Sequence, residues 1–289
     1  MDRFDGKTLL VCIGAAKTGT SWLHSYLEAR PDVAVSPLKE VHFFDAKFPE
    51  FALGDPDSFA MKRLEFHLKA AAAEPDQIRE NALLQASLDR VRMIHAPDAY
   101  FDHFASLATE DTRVVCDITP GYSAIGEDGF AYLKSFCAAQ GLRVKILFLM
   151  RDPVERLWSQ LRHLQQLSAE NDARRDWSRL AAHPAVRARA DYAQTVRALD
   201  AVFAEGDVLH LFYEDFFIDP ALRRLSDFLD LPFAASRQTE CLNETRVKLP
   251  LPEQAFARFA EDLAPQYQFC RDRFATQVPA TWLAEARHR

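Results

Sequence analysis

Apolar runs rich in β-branched residues alternate with helix-periodic stretches along this chain, at 8–13, 114–117, 144–150 and 208–213. Such runs, bounded by loops, suit the strands of a parallel sheet buried on both faces, with the intervening helices as crossovers. The pattern predicts an α/β fold, a three-layer domain with a central parallel sheet flanked by helices. No Gly/Ser linker, repeat or low-complexity tract interrupts it, so one domain over 1–289 is expected. Two stretches read as decorations able to cover the sheet's carboxyl edge. The first, 43–103, carries Phe43, Phe44, Phe48, Phe51, Phe59 and Phe66; the second, 163–192, carries Arg174, Arg175, Arg179, Arg187 and Arg189.

Composition narrows the function classes. With 35 Lys and Arg against 42 Asp and Glu the formal net charge is −7, which excludes a generally basic nucleic-acid coat. A 48% hydrophobic content without any apolar stretch of about 18 residues excludes a membrane-embedded helix. The five cysteines are scattered and form no CxxC pair, so a redox motif or zinc knuckle is not expected. The opening MDRFDGK does not read as a secretory signal, and a reducing cytoplasm is the expected location.

The sharpest chemical signal is TLLVCIGAAKTGTSWLHSYL, an apolar strand, a tight loop and an amphipathic helix. Helix starts present outward N–H groups and the positive end of the dipole, which suits a phosphate-like anion. Gly14 and Gly19 allow the turn, Lys17 supplies a cation, and Thr18, Thr20 and Ser21 supply hydroxyls. No Asp or Glu occurs between Gly6 and Leu27. A Walker A loop has its lysine directly after the last glycine, whereas Lys17 precedes Gly19 by two positions. The cradle is therefore P-loop-like, and no acid marks the usual magnesium partner.

A second strand-turn-helix is KILFLMRDPVERLWS. Asp152 as N-cap, Pro153 at the first helical position and Glu155 at the third predict a helix start here. Arg151 then stands at a strand end, the edge where α/β sheets bind ligands, and Ser159 follows two turns into the helix. Between the two elements lies SPLKEVHFFD. If this piece is extended, alternation puts Glu40 and His42 on one face and Lys39 and Val41 on the other. Either Glu40 or His42 then serves as a proton acceptor, the imidazole with its unperturbed pKa of about 6.5 needing little tuning.

The loop GAAKTGTSW resembles the 5′-phosphosulfate-binding loop of sulfotransferases that use 3′-phosphoadenosine 5′-phosphosulfate (PAPS), and RDPVERLWS resembles their 3′-phosphate element. KEVHFFD is similar to the segment of glycan- or heparan-type sulfotransferases in which the glutamate is the general base, and VVCDITPGYS matches a fourth piece. The resemblance implies a single sulfotransferase domain with lid-like insertions around 43–103 and 163–192. It implies a PAPS cosubstrate bound by Lys17, Thr18, Gly19, Thr20, Ser21, Arg151 and Ser159. Trp22 would stack on adenine, and Arg246 and Lys248 would close a late loop on the nucleotide. Sulfuryl transfer to an acceptor hydroxyl of a small alcohol, lipid or saccharide would use Lys17 with Glu40, or His42, as catalytic groups and no metal. Where relatives acting on sulfated polysaccharides carry Glu-Lys, this chain has Asp117-Ile118. Two other readings stand beside this one: an ATP-dependent small-molecule kinase of P-loop type, disfavoured by the displaced lysine, and a non-catalytic nucleotide-binding protein. Oligomeric state is left unspecified.

Overall fold

The computed structural model describes residues 4, 6–73, 76, 78–168, 170–236 and 246–284. Its centre is a five-stranded, all-parallel sheet of β1 (Thr8–Gly14), β2 (Val33–Val35), β3 (Val114–Ile118), β4 (Arg143–Met150) and β5 (Val208–Phe212), in the order β2-β3-β1-β4-β5. The four runs legible in the sequence are strands. The fifth, β2, has only three residues, too few for periodicity to show.

The helices in chain order are α1 (Thr20–Glu28), α2 (Phe44–Lys47), α3 (Pro56–Ala72), α4 (Ala82–His95), α5 (Ala99–Leu107), α6 (Gly126–Ala138) and α7 (Pro153–Leu167). They continue with α8 (Trp177–Ala181), α9 (Pro184–Ala188), α10 (Tyr192–Val202), α11 (Tyr213–Phe216), α12 (Asp219–Phe228), α13 (Glu253–Phe274) and α14 (Thr281–Ala284). Strand alternation divides the core between the two faces of the sheet. Leu9, Val11 and Ile13 of β1 join a cluster with Phe101, Phe130 and Phe148, while Leu10 and Cys12 join Trp22, Leu23 and Leu225 on the other side. Cys12, Cys116, Cys137 and Cys270 are buried, unbridged thiols; Cys241 lies outside the described residues.

Topology places the site. β1 sits between β3 and β4, so the loops that leave β1, β3 and β4 open side by side at the carboxyl edge of the sheet. Each of the two expected helix starts forms. Asp152 caps α7 by accepting from the Glu155 N–H at 3.0 Å, with Pro153 in the first turn. The start of α1 has no side-chain cap and no acid in its first turn.

Candidate active site

A cavity of about 540 Å³ opens at that edge, walled by the loops after β1, β3 and β4, by α7, and by the stretch between α2 and α3. From the first loop Lys17, Gly19, Thr20 and Ser21 face it; from the β4 turn and α7 come Arg151 and Ser159. The two turns touch: Arg151 Nη1 donates to the Lys17 carbonyl at 3.3 Å, and the guanidinium packs 4.6 Å from the centre of the Tyr213 ring.

The first loop is tightly built. Lys17 and Gly19 have φ of 72° and 80°, and a Cβ on Gly19 would meet the Phe217 ring at 2.9 Å. Only glycine meets both demands at position 19. The Thr18 hydroxyl turns inward to donate to the Ala15 carbonyl at 2.6 Å, so it braces the loop from behind. Burial first, then the nearby Lys39, lowers the Lys17 pKa to about 8.

The 36–45 segment is not the extended piece considered above. Glu40 and His42 both take positive φ, 65° and 55°, which alternation does not provide. Tertiary hydrogen bonds hold that backbone in place. Arg63 of α3 donates to the Lys39 and Glu40 carbonyls at 3.2 and 3.0 Å. The buried Arg90 of α4 donates to the Val41 and His42 carbonyls at 2.6 and 2.7 Å and pairs with Asp57. From the β3 side, Thr119 accepts the Val41 N–H and the Tyr122 hydroxyl accepts the Phe43 N–H, each at 3.0 Å. Both hydroxyl groups donate in turn to Asp117, joined there by Tyr100, so the Asp117 carboxylate anchors the segment from within the core.

Glu40 and His42 nevertheless converge, and Lys39 joins them instead of facing away. Lys39 Nζ lies 2.7 Å from Glu40 Oε1, His42 Nε2 lies 3.3 Å from Glu40 Oε2, and His42 Nδ1 lies 2.6 Å from Asp45 Oδ2. Burial opposes the charge on Glu40, but Lys39 and His42 outweigh it and hold the carboxyl well below its usual range. Burial likewise opposes the imidazolium, and Asp45 with Glu40 outweighs it, raising His42 to about 9. At neutral pH the arrangement is a carboxylate between two cations, with Asp45 behind. Gly121 makes room for it, since a Cβ there would lie 2.5 Å from Asp45 Oδ2.

A sulfotransferase family model matches residues 10–235. The chain belongs to the sulfotransferase family, an enzyme family that uses PAPS. The crystal structure of a sulfotransferase from Alicyclobacillus acidocaldarius is 21% identical, with a TM-score of 0.64 over 96% of this chain and 99% of that one, and it shares the fold. The sulfotransferase domain from the curacin biosynthetic pathway is 15% identical, with a TM-score of 0.44 over 90% of this chain and 97% of that one. No curated protein matches the chain. The α/β fold with its five-stranded parallel sheet is that of sulfotransferases, and no helix among the described residues is long and apolar enough to cross a membrane.

Other sequence-derived candidates of this sulfotransferase stand elsewhere. Trp22 is packed in the core, stacked on Tyr26 at 5.4 Å and edge-on to Phe216 and Phe217, and does not line the cavity. Arg246 and Lys248 have exposed side chains off the cavity wall; their segment rides on α7, where Trp158 Nε1 donates to the Leu249 carbonyl at 3.0 Å. Of the arginines at 174–189, Arg189 alone lines the cavity, while Arg175 and Arg179 pair with Asp176 in solvent. Asp45 and Gln160 are cavity residues the sequence did not single out. For Gln160 a signal existed, since it shares a helix face with Ser159 and His163.

The Arg90 contacts carry a stability prediction. Arg90→Ala leaves two carbonyls and Asp57 without their charged donor, and the expected loss is about 2–4 kcal/mol, read by urea unfolding. A loss within about 0.5 kcal/mol would mean that the segment holds its positive-φ turns without α4.

Proposed function

We propose that this sulfotransferase takes PAPS as donor and moves the sulfuryl group to an acceptor hydroxyl, with Glu40 as general base. The supporting observation is the common cavity: Lys17, Thr20 and Ser21 after β1, Arg151 and Ser159 after β4, and the Glu40–His42 pair all line it. The residues fit the nucleotide. A glycine turn whose Cβ positions are filled, an uncapped helix start without acids and a half-buried lysine make an anion cradle at one end. Arg151 and Ser159 supply a guanidinium fork and a hydroxyl at the other, for the 3′-phosphate. Thr18 and Trp22 support the loop and α1 from behind.

When bound, the nucleotide supplies the sulfuryl group and leaves as adenosine 3′,5′-bisphosphate. Glu40 takes the proton of the acceptor hydroxyl. Its ionised state across physiological pH makes it the base, whereas His42, protonated up to about pH 9, has both ring nitrogens committed to carboxylates. His42 and Lys39 orient Glu40. Lys17, the α1 amides and the Thr20 and Ser21 hydroxyls hold the negative charge left on the 5′-phosphate. The likeness of KEVHFFD to glycan-type relatives supports the same assignment to Glu40.

The test is consumption of PAPS with appearance of the bisphosphate across a panel of alcohols and saccharides. Binding of bisphosphate with no consumption on any acceptor would contradict catalysis, and tighter binding of magnesium-ATP would contradict the donor.

The depressed Lys17 pKa gives a pH prediction with a definite sign. The phosphate favours the ammonium, so the Lys17 pKa rises on binding and protonated Lys17 is lost from the free protein first. Affinity for the bisphosphate is expected to hold up to pH about 8 and to fall about tenfold between pH about 7 and 9. Lys17→Arg, which stays charged throughout, is expected to remove the fall. An unchanged slope in that variant would assign the titration to another group.

A further inference from the structure

The cavity changes character beyond Glu40 and His42. On one side Leu53, Pro56 and Phe59 face it, and on the other the last turns of α7 contribute Leu164 and Leu167. Leu53, Phe59 and Leu167 are 41%, 49% and 68% exposed. Single exposed apolar residues are ordinary, but three large ones meeting around one concave mouth form a patch of the kind that marks a ligand surface. Phe59 links this mouth to the chemistry. Its ring meets His42 at 5.8 Å and 89°, and the Arg63 guanidinium covers it at 4.4 Å, so one face is already taken and the ring is fixed.

The polar side chains beside this apolar patch are Asp55, Ser58 and Lys62 on one wall and Gln160 and His163 on the other. Asp55 is the N-cap of α3 and accepts from the Ser58 N–H at 2.6 Å, which leaves Lys62 as the cation α3 contributes. A saccharide offers a hydroxyl at nearly every carbon and needs a comparable number of side-chain partners, or each becomes a desolvated polar group. Leu53, Pro56, Phe59, Leu164 and Leu167 present carbon along this path instead.

We infer that the acceptor is an alcohol with an extended apolar body, its hydroxyl at Glu40 and its body laid between the 53–59 stretch and the end of α7. This rests on the sulfotransfer reading and narrows its acceptor. A group on that path gains from leaving water at every carbon, and selectivity follows length more than shape.

The experiment is a series of primary n-alkyl alcohols of increasing length at fixed PAPS, run on the parent and on Leu167→Asp, with calorimetric titration of adenosine 3′,5′-bisphosphate into both. The expected kcat/KM rises about three- to fourfold per methylene until the mouth is filled. Leu167→Asp is expected to lower kcat/KM for the longest alcohol about tenfold or more while bisphosphate affinity stays within about twofold. A flat series, a preference for glucose or an oligosaccharide over every alkyl alcohol, or bound bisphosphate with no alcohol sulfated would overturn the inference and leave the donor reading intact. Failure of the parent to bind bisphosphate would overturn the donor reading itself, and this inference with it.

Discussion

Glu40→Gln is expected to lower kcat about 10²- to 10⁴-fold, the range that a positioned general base contributes. Glutamine keeps the shape and one acceptor oxygen but cannot take the proton. Its neighbours sharpen the expectation. Lys39 and His42 flank Glu40 at 2.7 and 3.3 Å, so the variant leaves two cations facing a neutral amide, and bisphosphate affinity should hold or tighten. His42→Asn is expected to cost less, about tenfold, because it removes one orienting partner while Lys39 remains. Steady-state kinetics on the two variants with one acceptor decides between them. A larger loss for His42→Asn would give the base to the imidazole.

Lys17→Ala is expected to reduce kcat about 10²- to 10³-fold, as loss of one preorganised charge donor does where charge develops. The fold should survive. Lys17 is a loop residue whose positive φ of 72° is set by the turn around Gly19 and by the inward hydroxyl of Thr18, neither of which needs the ammonium. Unfolding in urea is therefore expected to change little, because removal of a partly desolvated cation also removes its desolvation cost. Parental turnover in this variant would contradict the role assigned to the lysine.

How far the sequence reaches toward this site depends on where each constraint resides. Local chemistry fixes the β1 loop and the β4 turn: a glycine at 19, an aspartate cap at 152 and a proline at 153 act within a few residues, and both elements appear where the pattern puts them. The meeting of Lys17 with Arg151 depends on β1 and β4 being neighbours, which strand order decides and periodicity does not. The 36–45 segment was less legible still. Its two positive-φ residues are held by Arg63 and Arg90 from helices 23 or more positions away in the chain, and nothing local announces that clamp. Trp22 shows the converse. An aromatic beside an anion loop suggests base stacking, but the packing of α1 on the 216–217 rings takes it into the core. The apolar mouth draws on Leu53, Phe59 and Leu167, which only the folded chain assembles.

The central claim is that the β1 loop and the β4 turn hold two phosphate groups of a single nucleotide. Calorimetric titration with adenosine 3′,5′-bisphosphate and with adenosine 5′-phosphate, on the parent and on Arg151→Ala, tests it most directly. The account predicts that the parent prefers the bisphosphate about a hundredfold, about 2–3 kcal/mol of charge-assisted hydrogen bonding, and that Arg151→Ala largely erases the preference. Equal affinity of the parent for both nucleotides, or a preference untouched by loss of Arg151, would contradict it.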